Sequence, residues 1–251
     1  MPLKNRTTLK NFFSIGNMPT QSNFADLIDS SLNIVDDGFY KSMDDGIVIA
    51  PSGKSEKLIT FFDNTEYKNA SWSFNLDTRK KDPALNIKNN KNQCLIYAGQ
   101  NGNTGINTDA PISELHVNGF TTSDGRIGSY AIGEVPANGN WHAILPSLSG
   151  CHAFEIVAQA GKVNEGKYAL LHAVAVATFG KSRTRIRKTQ AYYGWFWDKI
   201  GLRWSGDTFD YSLQIKTRSH YGDKVNIRYH ITKLWDDKFM NDLFAPKTED
   251  K

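Results

Sequence analysis

Between Lys41 and Thr122 the chain consists of short apolar alternations cut by turn residues, and this pattern restricts the fold more than any other feature. Ile47 and Ile49; Leu58, Thr60 and Phe62; Trp72, Phe74 and Leu76; Leu85 and Ile87; Leu95 and Tyr97; and Leu115 and Val117 recur at the period of a strand with one apolar face. Pro51-Ser52-Gly53, Asp63-Asn64, Lys81-Asp82-Pro83, Asn89-Asn90, Gly99-Gln100-Asn101-Gly102 and Asn118-Gly119 separate them with turn chemistry. Strands this short cannot enclose a core within one chain. DPALNIKNN and APISELHVNG also read as imperfect copies of one unit, an apolar pair entered through Pro and left through an Asn-containing turn. Units that cannot bury their own face stack on copies of themselves, within the chain or across chains. A single-chain β-sandwich would show much of the same alternation.

After Trp141 the runs lengthen. His152 to Gln159, Tyr168 to Phe179, Thr184 to Trp197, Asp207 to Thr217 and Lys224 to Trp235 predict strands of eight residues or more, divided by Gly-bearing turns. In the second run Tyr168, Leu170, His172, Val174 and Val176 alternate with Ala169, Leu171, Ala173, Ala175 and Ala177. This predicts a strand buried on both faces, with the Ala face meeting a second sheet or symmetry-related copies near a threefold axis. Thr121 to Gly139 is rich in Gly and small residues and predicts a hinge. Near the N-terminus, Thr20 or Ser22 can cap a helix on which Phe24, Leu27, Ile28 and Leu32 recur at helical spacing, with Phe12 and Phe13 before it. A helix so short is marginal alone, so its stripe must dock. Phe239, Leu243 and Phe244 predict a short helix in the C-terminal tail.

Composition narrows the function. With 251 residues, 39% of them hydrophobic, the chain can bury a core in one large or two modest domains. No apolar run approaches the roughly 20 residues of a membrane span. Met1 to Lys10 is polar and basic without the apolar stretch of a signal peptide, so synthesis in the cytoplasm and no membrane insertion are expected. Cys94 and Cys151 lie far apart and the six histidines are scattered singly, so no disulfide framework, metal site or cofactor is expected. A net charge of +4 falls short of a dedicated nucleic-acid binder. Its distribution matters more: Lys181, Arg183, Arg185, Arg187, Lys188, Lys199 and Arg203 gather in a region whose one acid is Asp198.

No GxSxG, HExxH, Walker or Rossmann pattern is present, and no enzyme class is indicated. Asp207 with Asp210, or Glu155 with Glu165, are the carboxylate pairs a glycan-cleaving site would need, at spacings common by chance. The binding signal is stronger. Arg183, Arg185 and Arg187 share one face of a predicted strand about 7 Å apart. Tyr193, Trp195 and Trp197 continue the alternation, and Trp204 follows the next turn. Flat rings stack on the apolar faces of sugars, and guanidinium groups pair bidentately with carboxylates and phosphates. These seven residues are the candidate receptor-binding set, suited to an acidic glycan or lipopolysaccharide. The same residues also read as an aromatic core and a solvated arginine edge.

Two stretches resemble a known family. Gly105, Ile106, Asn107, Thr108, Pro111 and the run Leu115 to Gly119 match the "GIGT..P..KLHVNG" element of bacteriophage tail fibres and related trimeric adhesins, with Asn107 where the family usually has Gly. The N-terminal segment resembles that of fibres of phage tails and phage-tail-like contractile injection systems, at the particle-proximal end. The resemblance implies a homotrimer whose residues Phe12, Phe13, Phe24, Leu27 and Ile28 attach it to baseplate or tail proteins, displayed on an extracellular particle. The expected chain is mainly β. Residues 1–40 would form the attachment segment, 41–122 a trimeric β-prism-like shaft, 123–138 a hinge, and 139–251 an antiparallel, jelly-roll-like sandwich head. It would be an adhesin without catalysis, with a purely structural fibre component or a glycan-cleaving tailspike as competitors.

Overall fold

Strands dominate the chain in a computed structural model, which describes residues 4–31, 37–51, 55–64, 70–78, 83–164 and 166–235. Leu32, Glu165 and the tail from Asp236, with its predicted helix, lie outside the described residues. The fold is mainly β and divides into two compact units, Met1–Thr122 and Ser123–Lys251.

The first unit opens with helices α1 (Arg6–Phe12) and α2 (Gln21–Asp29). Thr20 caps α2 reciprocally: its hydroxyl accepts from the Asn23 N–H, and its own N–H donates to the Asn23 side chain at 2.9 Å. Phe13 meets Phe24 edge to face at 5.3 Å, while Phe24, Leu27 and Ile28 remain exposed. A hairpin of β1 (Phe39–Ser42) and β2 (Gly46–Ile49) follows. The main sheet then runs in chain order through β3 (Lys57–Phe62), β4 (Ala70–Asp77), β5 (Ala84–Asn89), β6 (Cys94–Gly99), β7 (Thr104–Ile106) and β8 (Leu115–Val117). Neighbours are antiparallel except β7 and β8, which pair in parallel. At that junction Asn107 takes φ +58°, where Asn and Gly are the best tolerated residues. Its side chain donates to the Asn118 carbonyl at 3.1 Å, and Asn118 returns the bond to the Asn107 carbonyl at 3.3 Å.

The register aligns one apolar row across this whole sheet: Ile59, Phe74, Ile87, Ile96, Ile106 and Val117 stand side by side. Phe61 and Trp72 on one flank, and Leu76, Leu85, Ala98 and Leu115 on the other, widen it. The opposite face carries Ser73, Asn75, Asp77 and Asn86 beside Ala84 and Tyr97, and these are the buried residues. The sheet is therefore inverted, with Phe61, Trp72, Leu85, Ile96 and Leu115 exposed. Two phases differ from the sequence reading. Bulges in β3 and β6, at Leu58 and Leu95, put Ile59 and Ile96 in the apolar row and Phe61 on its flank, where Leu58, Thr60, Phe62, Leu95 and Tyr97 were expected.

In the second unit a five-stranded sheet, β13-β12-β11-β16-β9, faces a three-stranded one, β10-β15-β14. Its strands are β9 (Ala131–Pro136), β10 (His142–Leu148), β11 (Cys151–Gly161), β12 (Tyr168–Thr178), β13 (Arg185–Tyr193), β14 (Ile200–Gly206), β15 (Tyr211–Thr217) and β16 (Asn226–Trp235). All pairings are antiparallel. Phe154, Ile156, Leu171 and Ile231 of the larger sheet and Leu213, Ile215 and Ile200 of the smaller one share a core. The expected hinge is corrected here: β9 lies within residues 123–138 and pairs with β16, where its Gly133 leaves room for the Tyr229 ring. The Asp207 to Thr217 run also shortens, since residues 207–210 form the β14–β15 turn.

The Ala face of β12 packs inside this chain's own sandwich, with Ala175 fully buried, so it does not supply contacts to other copies. Nor is β12 buried on both faces as its sequence suggested, because the smaller sheet covers one side and leaves Leu170, Val174 and Val176 exposed. Ala175→Leu is expected to overpack the core and cost about 1–3 kcal/mol. Val174→Leu, one residue away and outward, should stay within about 0.5 kcal/mol. Chemical denaturation of both variants measures the difference.

Candidate functional site

Strand β13 forms an edge of the larger sheet, and its period sends odd-numbered residues outward. Arg185 lies opposite Val176 and Arg187 opposite Val174, with Arg183 just before the strand, and all three are exposed. Arg183 lines a shallow cleft with Cys151, Val176, Thr178 and Trp235. Tyr193 closes the other end of the strand, opposite Tyr168. Eight residue steps separate Arg185 from Tyr193, about 26 Å in an extended chain. The arginine row and the aromatic cluster thus lie at opposite ends of β13 and do not form one site.

The aromatic end is not a strand. After Tyr193 the backbone turns at Gly194, at φ +116°, and a Cβ there would meet the Asp198 carboxylate at 2.5 Å. Trp195, Phe196 and Trp197 therefore sit in the loop joining β13 to β14, which corrects the expected alternation of Trp195 and Trp197 along an extended segment. Asp198 holds this loop. Only 1% exposed, it accepts from the Trp195 N–H at 2.8 Å and from the Ser219 hydroxyl, with Lys167 at 4.0 Å. Its own N–H returns to the Trp195 carbonyl at 2.8 Å. Burial by itself would raise the Asp198 carboxyl, but the Ser219 and Trp195 hydrogen bonds and Lys167 outweigh it and hold the group below the usual aspartate value. Burial and the neighbouring Asp198 charge push the Tyr221 phenol well above its ordinary range.

On this anchored backbone the rings face solvent. Trp195 is 72% exposed and Tyr193 69%, with Phe196 and Trp197 at 53% each. Phe196 and Trp197 have ring centroids 3.6 Å apart. Beside them Gln159, Tyr168, Leu170, Ala191, Tyr192 and Tyr193 line an open cleft of about 340 Å³. Phe196 joins the exposed rings through the loop, whereas Tyr192 stays on β13, on the face opposite Tyr193. Trp204 does not belong to this set. It packs into the core against Phe154 and Tyr211, since β14 turns it toward the facing sheet.

Among the carboxylate candidates, Glu155 accepts from Arg126 and from His172 at 2.9 Å. Asp207 lies in the β14–β15 turn in an ion pair with Lys181. Among the described residues no group of three His, Cys, Asp or Glu side chains could hold a metal ion.

Because Asp198 titrates lower in the folded chain than an unfolded aspartate, about 3.9, its contribution is complete above that pH and is lost as pH falls through the folded value. Asp198→Ala should cost about 3 kcal/mol, remove that acid-side dependence and change the tryptophan emission of the loop. Denaturant titrations at neutral and acid pH check all three. No protein-family model matches this chain, and no curated protein matches it.

Proposed function

We propose that this protein is a fibre-type adhesin that associates as a homotrimer and binds a cell-surface glycan through the exposed rings of the loop between β13 and β14. The reading is carried by that loop: its three rings, with Tyr193 at the end of β13, stand in solvent on a backbone pinned by a buried carboxylate. Rings that merely filled a core would be covered, as Trp204 is. A flat aromatic surface fixed in advance stacks on sugar rings with little ordering cost.

The inverted sheet of the first unit supports association. Its apolar row spans six strands, about 24 Å, and with its flanking rows about 14 Å along the strands. Covering it removes ~340 Å² per chain, about 8 kcal/mol before the cost of association. Identical apolar rows fit copies of themselves, and the threefold number comes from the resemblance to tail fibres. Three weak sites on one particle gain avidity, because the second and third contacts are intramolecular. The exposed stripe of Phe13, Phe24, Leu27 and Ile28, with Phe12 beside it, is the proposed attachment to baseplate or tail proteins of an extracellular phage or injection particle.

Light scattering of the purified protein is expected to give about three times 28.2 kDa, and Ile96→Glu, which places a charge in the apolar row, to give a single-chain mass. Trp195→Ala and Trp197→Ala should each weaken binding in a glycan array by about tenfold while the oligomer stays intact. Loss of assembly in both tryptophan variants would favour a purely structural subunit, and release of oligosaccharides from a surface polysaccharide would favour a tailspike.

A further inference from the structure

Three cations converge beside the aromatic loop from three different segments. Lys188 lies on β13 and shares a face with Gln190 and Tyr192. Gln190 accepts from the Ile200 N–H at 3.1 Å, which ties the start of β14 to this face. Lys199 comes just before that point, with its ammonium 4.5 Å from the centre of the Tyr192 ring. Arg218 follows β15, and its backbone N–H donates to the Lys199 carbonyl at 2.8 Å. None of the three has an acidic partner among the described residues. Asp198, the acid next in sequence to Lys199, is buried and occupied by Ser219, Trp195 and Lys167. Burial and then the charges of Arg218 and Lys199 make the ammonium form of Lys188 harder to hold. An anion placed among the three would relieve that repulsion.

We propose that Lys188, Lys199 and Arg218 form an anion subsite next to the loop rings, which takes a carboxylate or phosphate carried by the bound saccharide. It rests on the glycan-platform reading above and specifies the ligand class: an acidic sugar polymer whose ring stacks on the loop while its charged group reaches the cations. Ammonium and guanidinium groups from separate segments suit a single anionic group better than a row of arginines spread along one extended strand. The subsite therefore replaces Arg183, Arg185 and Arg187 as the anion contact.

The test uses the full chain and three immobilised polymers: polygalacturonate, which carries only carboxylates; a phosphorylated mannan, which carries only phosphates; and dextran, which is neutral. The wild type is expected to bind at least one charged polymer more tightly than dextran, less so at high salt. The polymer bound identifies the anion. The triple variant Lys188→Gln, Lys199→Gln, Arg218→Gln should lose about tenfold on that polymer, with unchanged thermal midpoint and loop fluorescence. Removing the same number of charges by Arg183→Gln, Arg185→Gln and Arg187→Gln should change binding by less than about twofold. The subsite is overturned if the wild type prefers neither charged polymer, if the first triple variant binds as the wild type does, or if the arginine-row variant loses as much. The two readings separate in the Trp195→Ala, Trp197→Ala double variant. Loss of all binding there while the lysine and arginine variant binds fully sinks only the anion subsite, whereas full binding by the double variant sinks the platform itself.

Discussion

A strand shows alternate side chains to opposite sides of its sheet, so every sheet in this chain must find something for each of two faces. The second unit meets the constraint internally. Ala169, Ala173, Ala175 and Ala177 form a low surface on β12, and the three-stranded sheet packs on it with Leu213 and Ile215 in the shared core. The first unit meets it only on one side. There Ser73, Asn75, Asp77 and Asn86 are buried while the continuous apolar row from Ile59 to Val117 lies on the open side. A polar face turned inward and an apolar face turned outward is the opposite of what a sheet stable as one layer in water would adopt. The association proposed for this chain follows from that inversion more directly than from any motif.

The same constraint explains which part of the second unit is free to bind. Its strands are committed to the sandwich, and Trp204, an aromatic residue on one of them, is drawn into the core by Phe154 and Tyr211. Trp195, Phe196 and Trp197 escape because Gly194 ends β13 and Asp198 replaces strand pairing with side-chain hydrogen bonds. A buried carboxylate is costly unless its lone pairs are filled. Once filled, it fixes the loop in one conformation. Rigidity and exposure, normally opposed in a loop, are in this way combined.

Much of the architecture was legible because alternation is a local signal. The strands around Trp72, Leu85, Tyr168 and Ile227 stand where periodicity put them. Failures arose where the period was interrupted. Bulges shift Ile59 and Ile96 into the apolar row, and no residue-type signal marks a bulge in advance. Thr121 to Gly139 read as a hinge because it is rich in Gly and small residues, yet within it Gly133 admits the Tyr229 ring between paired strands. Extending the β13 period through Gly194 put the rings on one strand face with the arginines, whereas the chain turns at Gly194, already about 26 Å of strand beyond Arg185. Lys188 and Lys199 were visible as part of a basic region, but their meeting with Arg218 depends on the long-range pairing of β14 with β15 and on the Gln190 bond that ties β14 to β13, which spacing along the chain cannot show.

Three exposed apolar features remain, and they differ in physical character. The α2 stripe is narrow and sits on a helix of nine residues, which has little stability of its own and gains it by docking on a matching surface. The sheet row is broad, continuous and hydrocarbon apart from Thr104, Asn89 and the Trp72 indole on its flanks, so it excludes water best against a surface of the same composition. The loop rings are few, polar at their edges through the Trp195 and Trp197 indoles and Tyr193, and bordered by cations that a hydrocarbon partner would have to desolvate. The saccharide proposed above, with flat apolar faces and an acidic group, would meet both the rings and the cations.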